Sequence, residues 1–195
     1  METVIPNADK KIPTREAAWE LLTRYNQSES LIKHALAVEA VMRYFAQELG
    51  HDPEFWGIVG LLHDVDYERY PEEHCKKARE ILEGENWPEV VIHAVQSHGY
   101  GICVDVEPAH EMEKVLYTID ELTGLVNATV LMRPDKKIQG LEVKSVKKKF
   151  KQKSFAAGVN RQVIEDGAAM LGMELDDIIY KTIKGMESVA AEIGL

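Results

Sequence analysis

Gly60-Leu61-Leu62-His63-Asp64-Val65-Asp66-Tyr67 is the stretch on which the reading of this chain turns. An apolar run ends in an adjacent histidine and aspartate, and a second aspartate follows. Upstream, Asp52-Pro53 reads as a helix cap with proline at the first helical position, so the run 53–64 reads as a helix that stops at the His-Asp pair. Neighbouring residues on a helix point about 100° apart. His63 and Asp64 can therefore serve one ion only from a helix end or its last turn, which is where this reading puts them.

Helical patterns continue in both directions. Thr14 to about Asn26 is helical. Ser28 can cap the next helix, which carries Leu31, Ala35, Val38 and Met42 at helical spacing and stops at Gly50. Past the pair come a loop over 65–71, a helix over 72–83 ending at Gly84, and a helix over 88–98 opened by Pro88. A glycine-containing loop then leads to Pro108 and a long helix reaching about Leu131, after which Pro134 breaks the pattern. Residues 141–153 read as a basic helix, Asn160 caps another to Leu171, and the last covers 174–193. No segment alternates in the manner of a strand. The expectation is an all-α bundle of eight or nine helices. It divides into an irregular N-terminal lead (1–13), a metal-binding core (14–132) and a C-terminal helical extension packed on the same domain (133–195).

A chain of 195 residues can bury a sizeable core without disulfides. Its net charge of −10 would repel nucleic acid and anionic lipid if it were spread evenly. It is not: ten basic residues lie between Arg133 and Arg161, against only Asp135 and Glu142. The N-terminus has no basic region followed by an apolar one, so no signal peptide is expected. No apolar run approaches the ~20 residues of a membrane helix. Cys75 and Cys103 form no CxxC and read as two reduced thiols. The expected address is the cytoplasm.

His34, His63-Asp64, His74, His98 and Asp120 recur in order, each on a helix or at a helix end. His34 and Asp120 fall amid apolar residues of long helices, where a polar side chain needs a partner. Imidazole plus carboxylate is the donor set of a divalent transition metal such as Mn, Fe, Co, Ni or Zn, with Mg also acceptable. A lone histidine on an apolar face is more often a satisfied core residue.

The stretch 61–67 resembles the signature of the HD superfamily of metal-dependent phosphohydrolases. An upstream histidine, His34 in Leu31-Ile32-Lys33-His34-Ala35-Leu36-Ala37-Val38, and a downstream aspartate, Asp120 in Leu116-Tyr117-Thr118-Ile119-Asp120-Glu121-Leu122, complete its H…HD…D pattern. Phe150 to Arg161 looks like the tail of an uncharacterised bacterial subgroup of predicted HD hydrolases. The resemblance implies an all-helical HD domain, with His34, His63, Asp64 and Asp120 on one metal. In the two-metal branches two further histidines lie between the HD pair and the last aspartate. His74 and His98 stand at those places, with Asp64 bridging. The implied activity is hydrolysis, by metal-activated water, of a phosphate ester or phosphoanhydride, nucleotides among the candidates. Two alternatives stay open: a di-iron oxygenase on the same fold, and a non-catalytic nucleotide-sensing module.

Supporting residues follow. Asp64 and Asp66 are the catalytic candidates. Asp66 either orients a ligand or acts as a general base. Lys33, Lys144, Lys148, Lys151 and Arg161 are the candidates for holding phosphate. Lys144, Lys147, Lys148 and Lys151 share one helical stripe, and Arg161 sits at a helix start where phosphate can dock. The stripe reads equally as a solvated face. His93 reads as non-ligating, and His51, His110 and Glu121 as surface residues. The expected partner is a small phosphorylated substrate, with no membrane and no nucleic acid; self-association is left open.

Overall fold

The computed structural model describes residues 12–195, so residues 1–11 of the expected N-terminal lead lie outside the described residues. Ten α-helices and no strand occur among the described residues. They are α1 (Arg15–Tyr25), α2 (Glu29–Leu49), α3 (Pro53–Leu62), α4 (Lys76–Gly84), α5 (Glu89–Ser97), α6 (Glu111–Leu131), α7 (Val143–Phe150), α8 (Arg161–Leu171), α9 (Leu175–Glu187) and α10 (Ala190–Ile193). The all-α expectation holds. The helix expected over 174–193 is in fact two, because the chain tightens at its end: Ser188 and Val189 donate to carbonyls three residues back, at Gly185 and Met186. No helix among the described residues is long and apolar enough to cross a membrane.

Local chemistry sets most boundaries. Thr14 accepts the Ala17 N–H at the start of α1, and Asp52 accepts those of Glu54 and Phe55 at the start of α3. Gly50 ends α2 in the left-handed conformation (φ 78°), as does Gly172 after α8 (φ 62°). Ser28 departs from expectation. Its hydroxyl makes no capping bond and pairs with Ser30 instead. Glu68, from the loop beyond the His-Asp pair, accepts the N–H groups of Gln27 (2.6 Å) and Ser28 (3.0 Å). That loop is thereby tied to the start of α2.

The helix expected over 72–83 is broken. A single 3₁₀ turn covers Pro71–Glu73, and α4 begins only at Lys76. Between them His74 is extended (ψ 145°) and Cys75 has φ 64°, a left-handed conformation that a cysteine adopts only when its surroundings require it.

α2 and α6 form the centre of the bundle. α3 and α9 pack along α2, and α8 packs along α6. Val38, Val41, Phe45, Leu61, Leu62, Leu116, Ile119 and Leu122 are fully buried between them. Each such side chain contributes roughly 1.5–3 kcal/mol of burial. Ile164 of α8 and Ile178, Ile179 and Ile183 of α9 join the same continuous core. Two glycines set how closely helices approach α2. A Cβ on Gly60 of α3 would lie 2.8 Å from Met42 Cγ and 3.1 Å from the Val38 carbonyl. A Cβ on Gly185 of α9 would lie 2.6 Å from the Val41 Cα.

Backbone cannot yield as a side-chain tip can. Gly185→Ala is therefore expected to destabilise the protein by about 1–3 kcal/mol despite alanine's better helix propensity. A thermal melt should show a Tm several degrees lower; an unchanged or raised Tm would refute the close approach.

Candidate metal centre

His63 is the residue at which α3 ends (φ −54°, ψ −38°), and Asp64 begins the turn that follows. At this helix end both side chains reach one centre. His34 arrives from α2 and Asp120 from α6. His34 Nε2 lies 2.9 Å from Asp120 Oδ1 and 3.9 Å from Asp64 Oδ2. His63 Nε2 lies 3.2 Å from His34 Nε2, 3.3 Å from Asp64 Oδ2 and 3.4 Å from Asp120 Oδ1. A second set abuts the first. His74 Nε2 lies 3.1 Å from His98 Nε2, and these two nitrogens lie 3.4 and 3.6 Å from Asp64 Oδ1. Asp64 thus turns one oxygen to each set.

Hydrogen bonds on the far side of the rings explain why these nitrogens need a cation. His63 Nδ1 donates to the Gly60 carbonyl (2.7 Å), His98 Nδ1 to the Val95 carbonyl, and His74 Nδ1 to Asp66 Oδ1 (2.8 Å). Each partner only accepts, so each Nδ1 carries the proton and each neutral ring turns a lone pair inward at Nε2. His74 and His98 then aim lone pairs at one another across 3.1 Å. Positive charge must lie among them, as protons or as a metal ion.

Burial pushes the His63 imidazolium down, but the Asp64 and Asp120 carboxylates outweigh it and hold the ring well above its ordinary value. Burial raises Asp64, and His63 beside it draws it well below the usual carboxylate range. Asp120 behaves likewise, its burial overcome by His63 and His34. Burial lowers His74, and the bonds and charge of Asp66 and Asp64 leave it raised. The donor set fits a divalent ion in charge and chemistry.

Asp66 requires a correction. It is completely buried, and both oxygens are engaged: Oδ1 by His74 and Oδ2 by the Ala78 N–H (2.8 Å) inside the first turn of α4. It caps a helix and aims a histidine, the ligand-orienting alternative of the two. The candidate phosphate ligands do not line the cleft. Lys33 pairs with Glu29 (2.6 Å) and lines, with His34, Ser30 and Asn127, a cavity that adjoins the centre. Lys144 is 79% exposed and pairs with Glu142, while Lys148 and Lys151 line two other surface hollows. These three are solvated because Val143, Val146 and Phe150 are the α7 side chains that face the core. Arg161 spends its guanidinium on six main-chain carbonyls, those of Lys149, Phe150, Gln152, Phe155, Ala156 and Val159, and has no donor left for phosphate.

Of the other histidines, His93 bonds Glu113 (2.7 Å), His51 bonds Glu111 and stacks on Trp56, and His110 caps α6. Glu121 is not a surface residue. It lines the cleft, its Oε2 accepts the Asn160 N–H (2.9 Å), and burial raises its pKa. Cys103 also lines the cleft, its thiol directed at the Cys75 sulfur 3.1 Å away, and that pairing lowers it below the ordinary thiol value. Neither residue carried a sequence signal.

The cleft over the two sets has a volume of about 330 Å³. Tyr67, Ile102, Val159 and Val163 form its walls, and no lysine or arginine lines it among the described residues.

Histidine and aspartate side chains gathered from separate helices of an all-α bundle define a metal-site protein of the His-Asp type. Residues 31–125 match the family model of the HD domain, the domain of a superfamily of metal-dependent phosphohydrolases. The matched segment contains all six clustered side chains and ends before the walls at Val159 and Val163. No solved structure matches the chain.

A divalent ion must displace the protons held at His63 and His74. Both rings are raised in the metal-free protein, so metal affinity should rise with pH across the neutral range and fall below it. Titration calorimetry with Zn²⁺ in two buffers of different ionisation enthalpy should register proton release on binding. Binding without proton release would contradict the arrangement. Asp66→Asn should weaken metal binding about 10–100-fold through loss of the His74 orientation.

Proposed function

We propose that this protein hydrolyses a phosphate ester or phosphoanhydride of a small substrate, at a centre that takes two divalent ions. The observation that carries this reading is Asp64, one carboxylate with Oδ2 turned to His34 and His63 and Oδ1 to His74 and His98. Divalent ions held there would make a bound water acidic near neutral pH and would neutralise charge developing on phosphoryl oxygens. The chain's own residues do the rest. His34, His63 and Asp120 supply the donors of one position, and His74 and His98 those of the other. Asp66 and the Gly60 and Val95 carbonyls hold the rings in the required tautomer.

The walls bear on the substrate. Among the described residues no lysine or arginine lines the cleft itself, where a single phosphoryl group needs only the ions; Lys33 lines the adjoining cavity, which shares His34 and Gly124 with the cleft. Tyr67, Ile102, Val159 and Val163 suit an apolar or aromatic leaving group. This favours a phosphomonoester over a polyphosphate.

The test is metal analysis of protein purified without chelator, followed by a panel of phosphomonoesters and nucleotides with Mn²⁺, Co²⁺, Fe²⁺ and Mg²⁺. About two ions per chain and turnover of a monoester are expected. Asp64→Ala should cut kcat/KM at least about a thousandfold. Oxygen consumption with a reduced di-iron form and no phosphate release would replace this reading with an oxygenase. Binding without any turnover would replace it with a sensor. Joint replacement of Lys144, Lys148 and Lys151 by alanine should leave kcat/KM within about twofold, since a solvated face lies outside the chemistry.

A further inference from the structure

The two cysteines are unused by the function proposed above, yet their sulfurs lie 3.1 Å apart. Cys75 is completely buried, and Cys103 is partly exposed and lines the cleft. Gly99 explains how they meet: a Cβ there would fall 2.4 Å from the Cys103 sulfur and 2.5 Å from the Cys75 sulfur. Any other residue would drive into both. The strained backbone of Cys75 (φ 64°) directs its side chain into the same space. The separation exceeds the ~2.05 Å of a disulfide by about 1 Å. A small movement of the 99–104 turn, which is closed by N–H bonds from Cys103 and Val104 to the Gly99 carbonyl, covers that distance.

We propose that Cys103 and Cys75 are a peroxide-reactive dithiol, closed to a disulfide by a small hydroperoxide that enters the cleft. Cys103 is the attacking sulfur because it is the one that solvent reaches. It attacks the terminal peroxide oxygen, the O–O bond breaks, and the departing oxygen takes a proton to leave as water or an alcohol. Cys103 is then a sulfenic acid. The Cys75 sulfur attacks it, the S–O bond breaks, and the oxygen leaves as water with the Cys75 proton. Two thiols are oxidised by two electrons and one hydroperoxide is reduced. A low-molecular-weight dithiol reverses the step. The bond would tie the segment carrying His74 to the turn that follows His98, so its formation bears directly on the second set of donors.

The experiment uses full-length protein exchanged into Zn²⁺, which removes iron-driven side chemistry, treated with a stoichiometric amount of hydrogen peroxide. Both thiols should disappear from a thiol count, the intact mass should fall by two hydrogens, and dithiothreitol should restore both. Cys75→Ser should stop at a sulfenic acid on Cys103 that dimedone traps. Cys103→Ser should leave Cys75 unreactive, and it tests the order of attack even if the Cys75 variant fails to fold. The proposal is overturned if wild-type Cys103 advances to sulfinic acid while Cys75 keeps its thiol, or if both thiols survive the peroxide. None of these readouts depends on phosphate hydrolysis, so the two proposals fail separately.

Discussion

Imidazole lone pairs that face one another across little more than 3 Å must have positive charge between them, and this structure is organised around that requirement. Helix-end carbonyls and one buried carboxylate take the outer ring protons of His63, His98 and His74, which forces the inner nitrogens together. Three anionic or polar anchors then serve a purpose beyond local satisfaction. They set the tautomer, the tautomer sets where the lone pairs point, and the lone pairs set what can bind.

The backbone bears the cost of this arrangement. α3 stops at the residue before His63, so that two adjacent side chains can turn the same way. The stretch expected as one helix after it is interrupted at His74 and Cys75, which frees His74 to enter the centre from outside a helix. Asp66 joins these two irregularities. One oxygen holds the ring of His74 and the other holds the start of α4, so the break and the histidine are positioned by a single side chain. Glu68 fixes the same loop to the head of α2, the helix that carries His34.

Features governed by near neighbours in sequence were legible: the Asp52-Pro53 start, the Gly50 stop, the Asn160 cap, and hence the helical class and most boundaries. The six candidate donors were legible as an ordered pattern, although the pattern could not show that one carboxylate faces both sets. What escaped depends on distant partners. The left-handed Cys75 and the break beside it answer to Asp66 and Gly99, not to the residues of 72–83. Ser28 was displaced as a cap by a glutamate from beyond the His-Asp pair. Arg161 has the composition of an anion ligand at a helix start, but the loop it closes supplied carbonyls first. The lysine stripe has helical spacing and no cleft beneath it. The sulfurs of Cys75 and Cys103 meet because Gly99, at the start of the turn that carries Cys103, leaves room.

The donors and two of the cleft's walls come from different parts of the chain. Every candidate donor lies within 31–125, as do Tyr67 and Ile102, while Val159 and Val163 belong to the segment held in shape by the carbonyl cage around Arg161. One side of the cleft is therefore encoded apart from the donors. Substitutions at 159 and 163 can reshape that side of the opening without touching a histidine or aspartate of the centre.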